Sequence, residues 1–95
     1  MKDETREPYN TAVALHWDGT GAPRVTAKGR GYLADDIIAL AAQHNVPLRQ
    51  EPALVDLLIR VDLNAQIPPS LYVAVAEVIA FAYSIAGKIP PHRSA

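Results

Sequence analysis

Hydrophobic residues alternate with other residues near the start of the chain. Between residues 11 and 17, Val13 and Leu15 fall on one side of the extended backbone. This period of two predicts a strand with one buried face. Residues 18–23 are rich in turn formers, and residues 24–28 alternate again. The pattern therefore predicts a β-hairpin with a somewhat long loop.

The spacing becomes helical after the hairpin. One stripe between residues 32 and 44 carries Leu33, Ile37, Leu40, Ala41 and His44. This spacing predicts a helix that buries the stripe. Asn45 is expected to form a left-handed cap, and Pro47 cannot continue the helix.

The rest of the chain predicts one more strand and two more helices. Residues 46–51 predict a short strand, Pro52 begins a helix that extends to about residue 61, and residues 70–86 form a helix that is apolar nearly all round. The order is strand, strand, helix, strand, helix, helix. It predicts an α+β fold with three α/β/α layers, in which a hairpin and a β-α-β crossover form a small mixed sheet flanked by helices.

Composition and charge narrow the classes of function. Ninety-five residues suit one domain, with a flexible segment at 1–10, the folded unit at 11–86 and a tail at 87–95. The net charge of −1 gives no basic surface for nucleic acid. Without cysteine, no disulfide or thiolate metal site is expected. No secretory signal or membrane span is expected either, because Glu77 interrupts the longest apolar run.

One short motif raises the alternative of a small nucleotide- or anion-binding protein. Residues 29–34, Gly-Arg-Gly-Tyr-Leu-Ala, match Gly-x-Gly-x-x-Ala between a strand and a helix. A dinucleotide fold needs further parallel strands, and only helices are predicted after Pro52. We therefore interpret the glycines as a strand-to-helix bend and expect no cofactor. The three histidines share no ligand spacing, so no metal is expected.

Residues 7–15, Glu-Pro-Tyr-Asn-Thr-Ala-Val-Ala-Leu, resemble the hallmark segment of the FlhB/YscU-type export-switch family of flagellar and type III secretion systems. That segment reads Asn-Pro-Thr-His, then an aromatic or apolar residue, then Ala-Val-Ala-Leu. Further similarity runs through residues 23–29, 33–41, 45–54 and 67–78 in the family's order. The resemblance implies the family's cytoplasmic domain, which helps select exported proteins and changes conformation when the chain is cut after the Asn. This chain resembles stand-alone, shortened relatives of that domain.

The motif itself departs from the family at Glu7 and Asn10, which stand where the family has its reactive Asn and its His; Pro8 is kept and Tyr9 follows it. Cleavage needs a side-chain amide nitrogen to attack its own backbone carbonyl and close a five-membered succinimide. A glutamate has no such nitrogen, and its extra methylene would require a six-membered ring. We therefore expect no autocleavage and no enzyme activity.

The resemblance then favours a non-catalytic binding module. Its expected partners are export-apparatus proteins or secretion substrates, of either a flagellar or a virulence-type system. The protein is expected in the cytoplasm, associated with the membrane export gate only through a partner. The candidate partner-binding residues lie in exposed turns and are Thr11, Lys28, Gly29, Arg30, Gly31, Glu51 and Pro52. The aromatic residues Trp17, Tyr72, Phe81 and Tyr83 are expected in core and helix–sheet contacts.

Overall fold

The computed structural model describes residues 10–86. Its elements in chain order are β1 (Thr11–His16), β2 (Arg24–Arg30), α1 (Tyr32–Gln43), α2 (Pro52–Leu58), a 3-10 turn (Pro69–Leu71) and α3 (Tyr72–Ala86). The predicted α+β class is confirmed, and so are the hairpin and the three helices. The predicted flexible segment, apart from Asn10, and the predicted tail lie outside the described residues.

The two strands pair antiparallel and carry helices on both faces. Val13 and Leu15 share one face of β1 and pack with Val25 against α2 and α3. The opposite face carries Ala12, which pairs with Gly29 beneath α1. The described elements therefore form the three predicted layers, with the larger core between the sheet and the last two helices.

The main core contains residues from the strand, both later helices and the turn between them. Its buried members are Val25, Leu58, Ile67, Leu71 and Val75. The sequence separation of these residues is large, so this core forms only when the last third of the chain packs onto the hairpin. Among residues 10–86 there is no helix with the length and hydrophobicity that a membrane span requires.

The predicted strand at residues 46–51 is wrong, because this segment pairs with no strand in the described structure. The amide of Val46 donates to Ala41 at the end of α1, and Pro47 has no amide hydrogen to donate. Residues 64–67 lie beside β2 instead. The amide of Val25 donates to the Ala65 carbonyl at 3.1 Å, and the amide of Ile67 donates to the Pro23 carbonyl at 3.0 Å.

The buried face of α1 differs from the predicted stripe. Leu33 and Leu40 are each 54% exposed, whereas Ala34 is fully buried. A side chain at Gly29 would overlap Leu33, so the helix approaches the strands closely at this point. Close approach requires a small residue on the strand, and Gly29 leaves the space that the Leu33 side chain occupies.

The end of α1 follows the prediction. Asn45 has a positive φ of 57°. Its amide donates to Ala42 and the amide of Val46 donates to Ala41, which together form a Schellman cap. The predicted left-handed cap at Asn45 is therefore confirmed. In the same cap the Val46 amide is hydrogen-bonded to α1, so it is not available to pair with a strand.

Candidate functional site

The loop of the hairpin is ordered by its own polar groups. The Asp18 carboxylate accepts hydrogen bonds from the Thr20 amide at 3.0 Å and from the Thr20 hydroxyl at 3.3 Å. The hydrogen bond from the Thr20 amide lowers the pKa of Asp18 below its ordinary value. The indole Nε1 of Trp17 donates to the Gly21 carbonyl at 3.0 Å, and Gly21 has a φ of 69° that favours glycine. These bonds fix the Trp17 ring at the end of the sheet.

A groove of about 440 Å³ lies between this loop and α3. The rings of Trp17 and Tyr83 meet edge to face, with their centroids 6.1 Å apart. The lining residues are apolar or aromatic and contain no charged side chain: Trp17, Gly21, Ala22, Pro23, Tyr72, Ala76, Ile79, Ala80 and Tyr83. The groove is therefore suited to an apolar segment rather than to a charged small molecule.

The helical side of the groove is built from one face of α3. Tyr72, Ala76, Ala80 and Tyr83 recur at spacings of four, four and three residues, which places them in one row along the helix. The two alanines leave space between the two tyrosines. Tyr72 is 46% exposed. The groove thus exists because small residues stand where larger ones would have filled the contact between hairpin and helix.

Sequence reasoning missed this groove. It assigned Trp17, Tyr72 and Tyr83 to core and helix–sheet contacts. The ring contact between Trp17 and Tyr83 is of that kind, but all three residues also line an open groove. The row of tyrosines and alanines on α3 was visible in the sequence. The sequence did not show the other side of the groove, because the hairpin loop that forms it lies about fifty positions before this row.

The last residue of the degenerate motif is held against the start of α1. The side-chain amide of Asn10 donates to the Asp35 carboxylate at 3.1 Å, and the Asn10 carbonyl accepts from the Gly31 amide at 2.8 Å. Asn10 therefore fixes the point at which the preceding chain joins β1. Glu7, Pro8 and Tyr9 lie outside the described residues.

The Gly-rich turn is occupied by contacts within the domain, and the nucleotide- or anion-binding alternative is not supported. The amide of Gly31 is already donated to Asn10. An anion at the start of α1 would also meet the Asp35 carboxylate in the first turn. Gly29 is buried beneath Leu33, so its backbone is not available for close approach by a phosphate. No group of side chains among residues 10–86 could hold a metal ion.

Lys28 links the sheet to the end of α2. Its Nζ donates to the Ile59 carbonyl at 3.1 Å and to the Val61 carbonyl at 2.7 Å. The cation lies where the helix leaves carbonyls without intrahelical partners, and where the helix dipole favours positive charge. In the described structure the Lys28 amine therefore forms its hydrogen bonds with backbone carbonyls of its own domain.

We expect Lys28→Met to destabilise the fold by about 1–3 kcal/mol, because it removes two charge-assisted hydrogen bonds and keeps the apolar stem. The matched control is Arg30→Met, at an exposed position of the same strand, with an expected change within about 0.5 kcal/mol. Urea unfolding followed by circular dichroism measures both. Equal midpoints for the two variants would show that the Lys28 contacts do not stabilise the domain.

The other candidate partner-binding residues are divided between two places. Thr11 pairs with Arg30 at the end of the hairpin, next to Gly31. Glu51 forms an ion pair with Arg49 at 2.8 Å and precedes Pro52, the first residue of α2. Arg49 in turn lies 5.0 Å from the centre of the Phe81 ring. Partner binding by these residues stays a prediction.

Comparison with known proteins shows the family. Residues 6–82 match the FlhB HrpN YscU SpaS family, and the chain belongs to it. The uncharacterized protein YlqH of Bacillus subtilis is 42% identical over 87 residues, which cover 90% of this chain and 91% of YlqH. The flagellar biosynthetic protein FlhB of Yersinia enterocolitica is 43% identical over 81 residues. Those residues are 82% of this chain but 21% of FlhB, so the chain spans about a fifth of that relative.

Solved structures confirm the fold. The cytoplasmic domain of FlhB from Shewanella putrefaciens matches with a TM-score of 0.73 and 26% identity, covering 98% of this chain and 89% of that domain. The C-terminal domain of PscU matches with a TM-score of 0.72 and 28% identity, covering 78% of this chain and 98% of that domain. The predicted resemblance to the export-switch cytoplasmic domain is confirmed.

Proposed function

We propose that this protein is a non-cleaving, protein-binding member of the export-switch family. It binds an export-apparatus component or an exported protein through the groove between the hairpin loop and α3. The observation that carries this proposal is the groove itself, which is open, apolar and lined by three aromatic rings. Its volume falls within the range of about 300–1,000 Å³ that is typical of binding pockets.

The chemistry of residue 7 supports the absence of cleavage. Cleavage at an Asn-Pro bond consumes the side-chain amide nitrogen of the Asn, and Glu7 offers a carboxylate in its place. Asn10 is followed by Thr11 rather than by proline, and its amide is bound to Asp35. Neither residue supplies the missing nucleophile.

The lining of the groove favours a polypeptide segment as the ligand. Aromatic rings provide large contact areas at low entropic cost, and the surrounding alanines and Pro23 add apolar area. A nucleotide would need cations or free amides at the site, and the groove has no charged lining residue.

The relatives support a cytoplasmic setting for the proposed binding. The Shewanella putrefaciens match is a cytoplasmic domain, and the Yersinia enterocolitica match is a flagellar biosynthetic protein. We infer that this chain acts in the cytoplasm and reaches the membrane export gate through its partner.

Ala76→Arg tests the proposal, because it places a long charged side chain on the floor of the groove. We expect capture of an export-apparatus protein or exported subunit from cells assembling flagella to fall by about tenfold or more. Ala74→Arg is the matched control. It makes the same substitution at an exposed position of α3 that does not line the groove, and we expect capture to be retained.

The captured proteins are identified by mass spectrometry, and the fold of each variant is checked by circular dichroism. Recovery of no export protein by the unaltered chain would contradict the proposed function. Equal recovery by both arginine variants would place binding on another surface, with the Thr11, Arg30 and Gly31 end of the hairpin as the next candidate.

A further inference from the structure

The groove leads towards the residues that follow α3. Tyr83, which lines the groove, lies one helical turn before the end of α3 at Ala86. Measured along the helix, Tyr72 at the other end of the groove lies about 21 Å from Ala86. Residues 87–95 can extend over about 30 Å. This segment is therefore long enough to turn back and run the whole length of the groove.

The composition of that segment fits the groove lining. Residues 89–91 are Ile-Pro-Pro, an apolar run in which the prolines have no amide hydrogen to desolvate. Proline-rich segments favour the extended polyproline II conformation, and such segments bind in grooves lined by aromatic rings. Trp17, Tyr72 and Tyr83 provide three such rings.

Charge complements this apolar match. Lys88 and Arg93 flank the Ile-Pro-Pro run. On the domain, the exposed Asp18 directly follows Trp17 at the hairpin end of the groove. A cation of this segment would complement the Asp18 carboxylate, whereas an acidic segment would be repelled by it.

We propose that residues 87–95 fold back and place Ile89, Pro90 and Pro91 in the groove, where they compete with the protein partner. The competition rests on the proposed function, whereas occupation of the groove by this segment does not. An internal segment at high effective concentration holds the groove until a partner with greater affinity displaces it.

Trp17 reports on this contact, because it is the only tryptophan in the sequence and lies in the groove. In the full chain, we expect Ile89→Asp to shift the Trp17 emission to longer wavelength and to increase its quenching by acrylamide. Ser94→Asp is the matched control, since it adds the same charge outside the apolar run. We expect it to leave both signals unchanged.

Two outcomes would overturn the inference. One is identical emission and quenching for the unaltered chain and Ile89→Asp. The other is protection of Trp17 that disappears on dilution, which would indicate a second copy of the chain in the groove. Capture of an export protein, tested with Ala76→Arg, is measured separately. If capture depends on the groove but Ile89→Asp leaves the Trp17 fluorescence unchanged, the proposed function is retained and this inference is rejected. If Ile89→Asp changes the fluorescence but no export protein is captured, this inference is retained and the proposed function is rejected.

Discussion

Leu58→Ala is expected to lower the free energy of unfolding by about 2–5 kcal/mol. Leu58 is 3% exposed and lies in the core that joins the hairpin to α3. Its removal leaves a cavity between the sheet and the later helices. Because domains of this size have total stabilities of roughly 5–15 kcal/mol, a loss of this magnitude threatens the whole fold.

Leu57→Ala provides the matched control. Leu57 is the adjacent residue of the same helix and is 49% exposed, so we expect a loss below about 1 kcal/mol. Thermal and urea unfolding of the two variants separate core packing from helix propensity, which the two substitutions change equally. Similar losses of unfolding free energy for the two variants would mean that α2 does not bury the side that carries Leu58.

The second large effect concerns cleavage. We expect the double substitution Glu7→Asn with Asn10→His to split the chain between residues 7 and 8. The Asn amide nitrogen would form a bond to its own backbone carbonyl carbon. The bond from that carbon to the Pro8 nitrogen would break, with a proton passing to the proline nitrogen, and water would then open the succinimide. Intact-mass spectrometry would detect residues 1–7 and 8–95 as separate species.

Glu7→Gln with Asn10→His is the control for that experiment. Glutamine carries the amide nitrogen, but its attack would have to close a six-membered ring, so we expect this chain to remain whole. The fold that follows the motif matches the cytoplasmic domain of FlhB over nearly the whole chain. If the asparagine variant also remained uncut, residues other than 7 and 10 would have to contribute to the loss of cleavage.

Local patterns in the sequence predicted the parts of this fold that depend on neighbouring residues. The alternation around Val13 and Leu15 predicted the first strand, and Asn45 predicted the cap of α1. These features follow from backbone preferences over a few positions.

Features that depend on distant residues were not predictable in the same way. Residues 46–51 have the composition of a strand, but residues 64–67 lie beside β2 instead. The buried face of α1 differs from the predicted stripe, because Ala34 is fully buried while Leu33, which covers Gly29 of β2, stays half exposed. The groove needs Trp17 and Tyr83 to meet across most of the chain. Such pairings depend on the three-dimensional arrangement, which short sequence windows do not contain.

Intact-mass spectrometry of the unaltered chain, after prolonged incubation at neutral pH, decides whether this domain remains uncut. The chain keeps the fold of the export-switch domain and carries Glu7 where cleavage requires asparagine. We predict a single species with the mass of all 95 residues. Two fragments separated between Glu7 and Pro8 would contradict the proposed loss of self-cleavage.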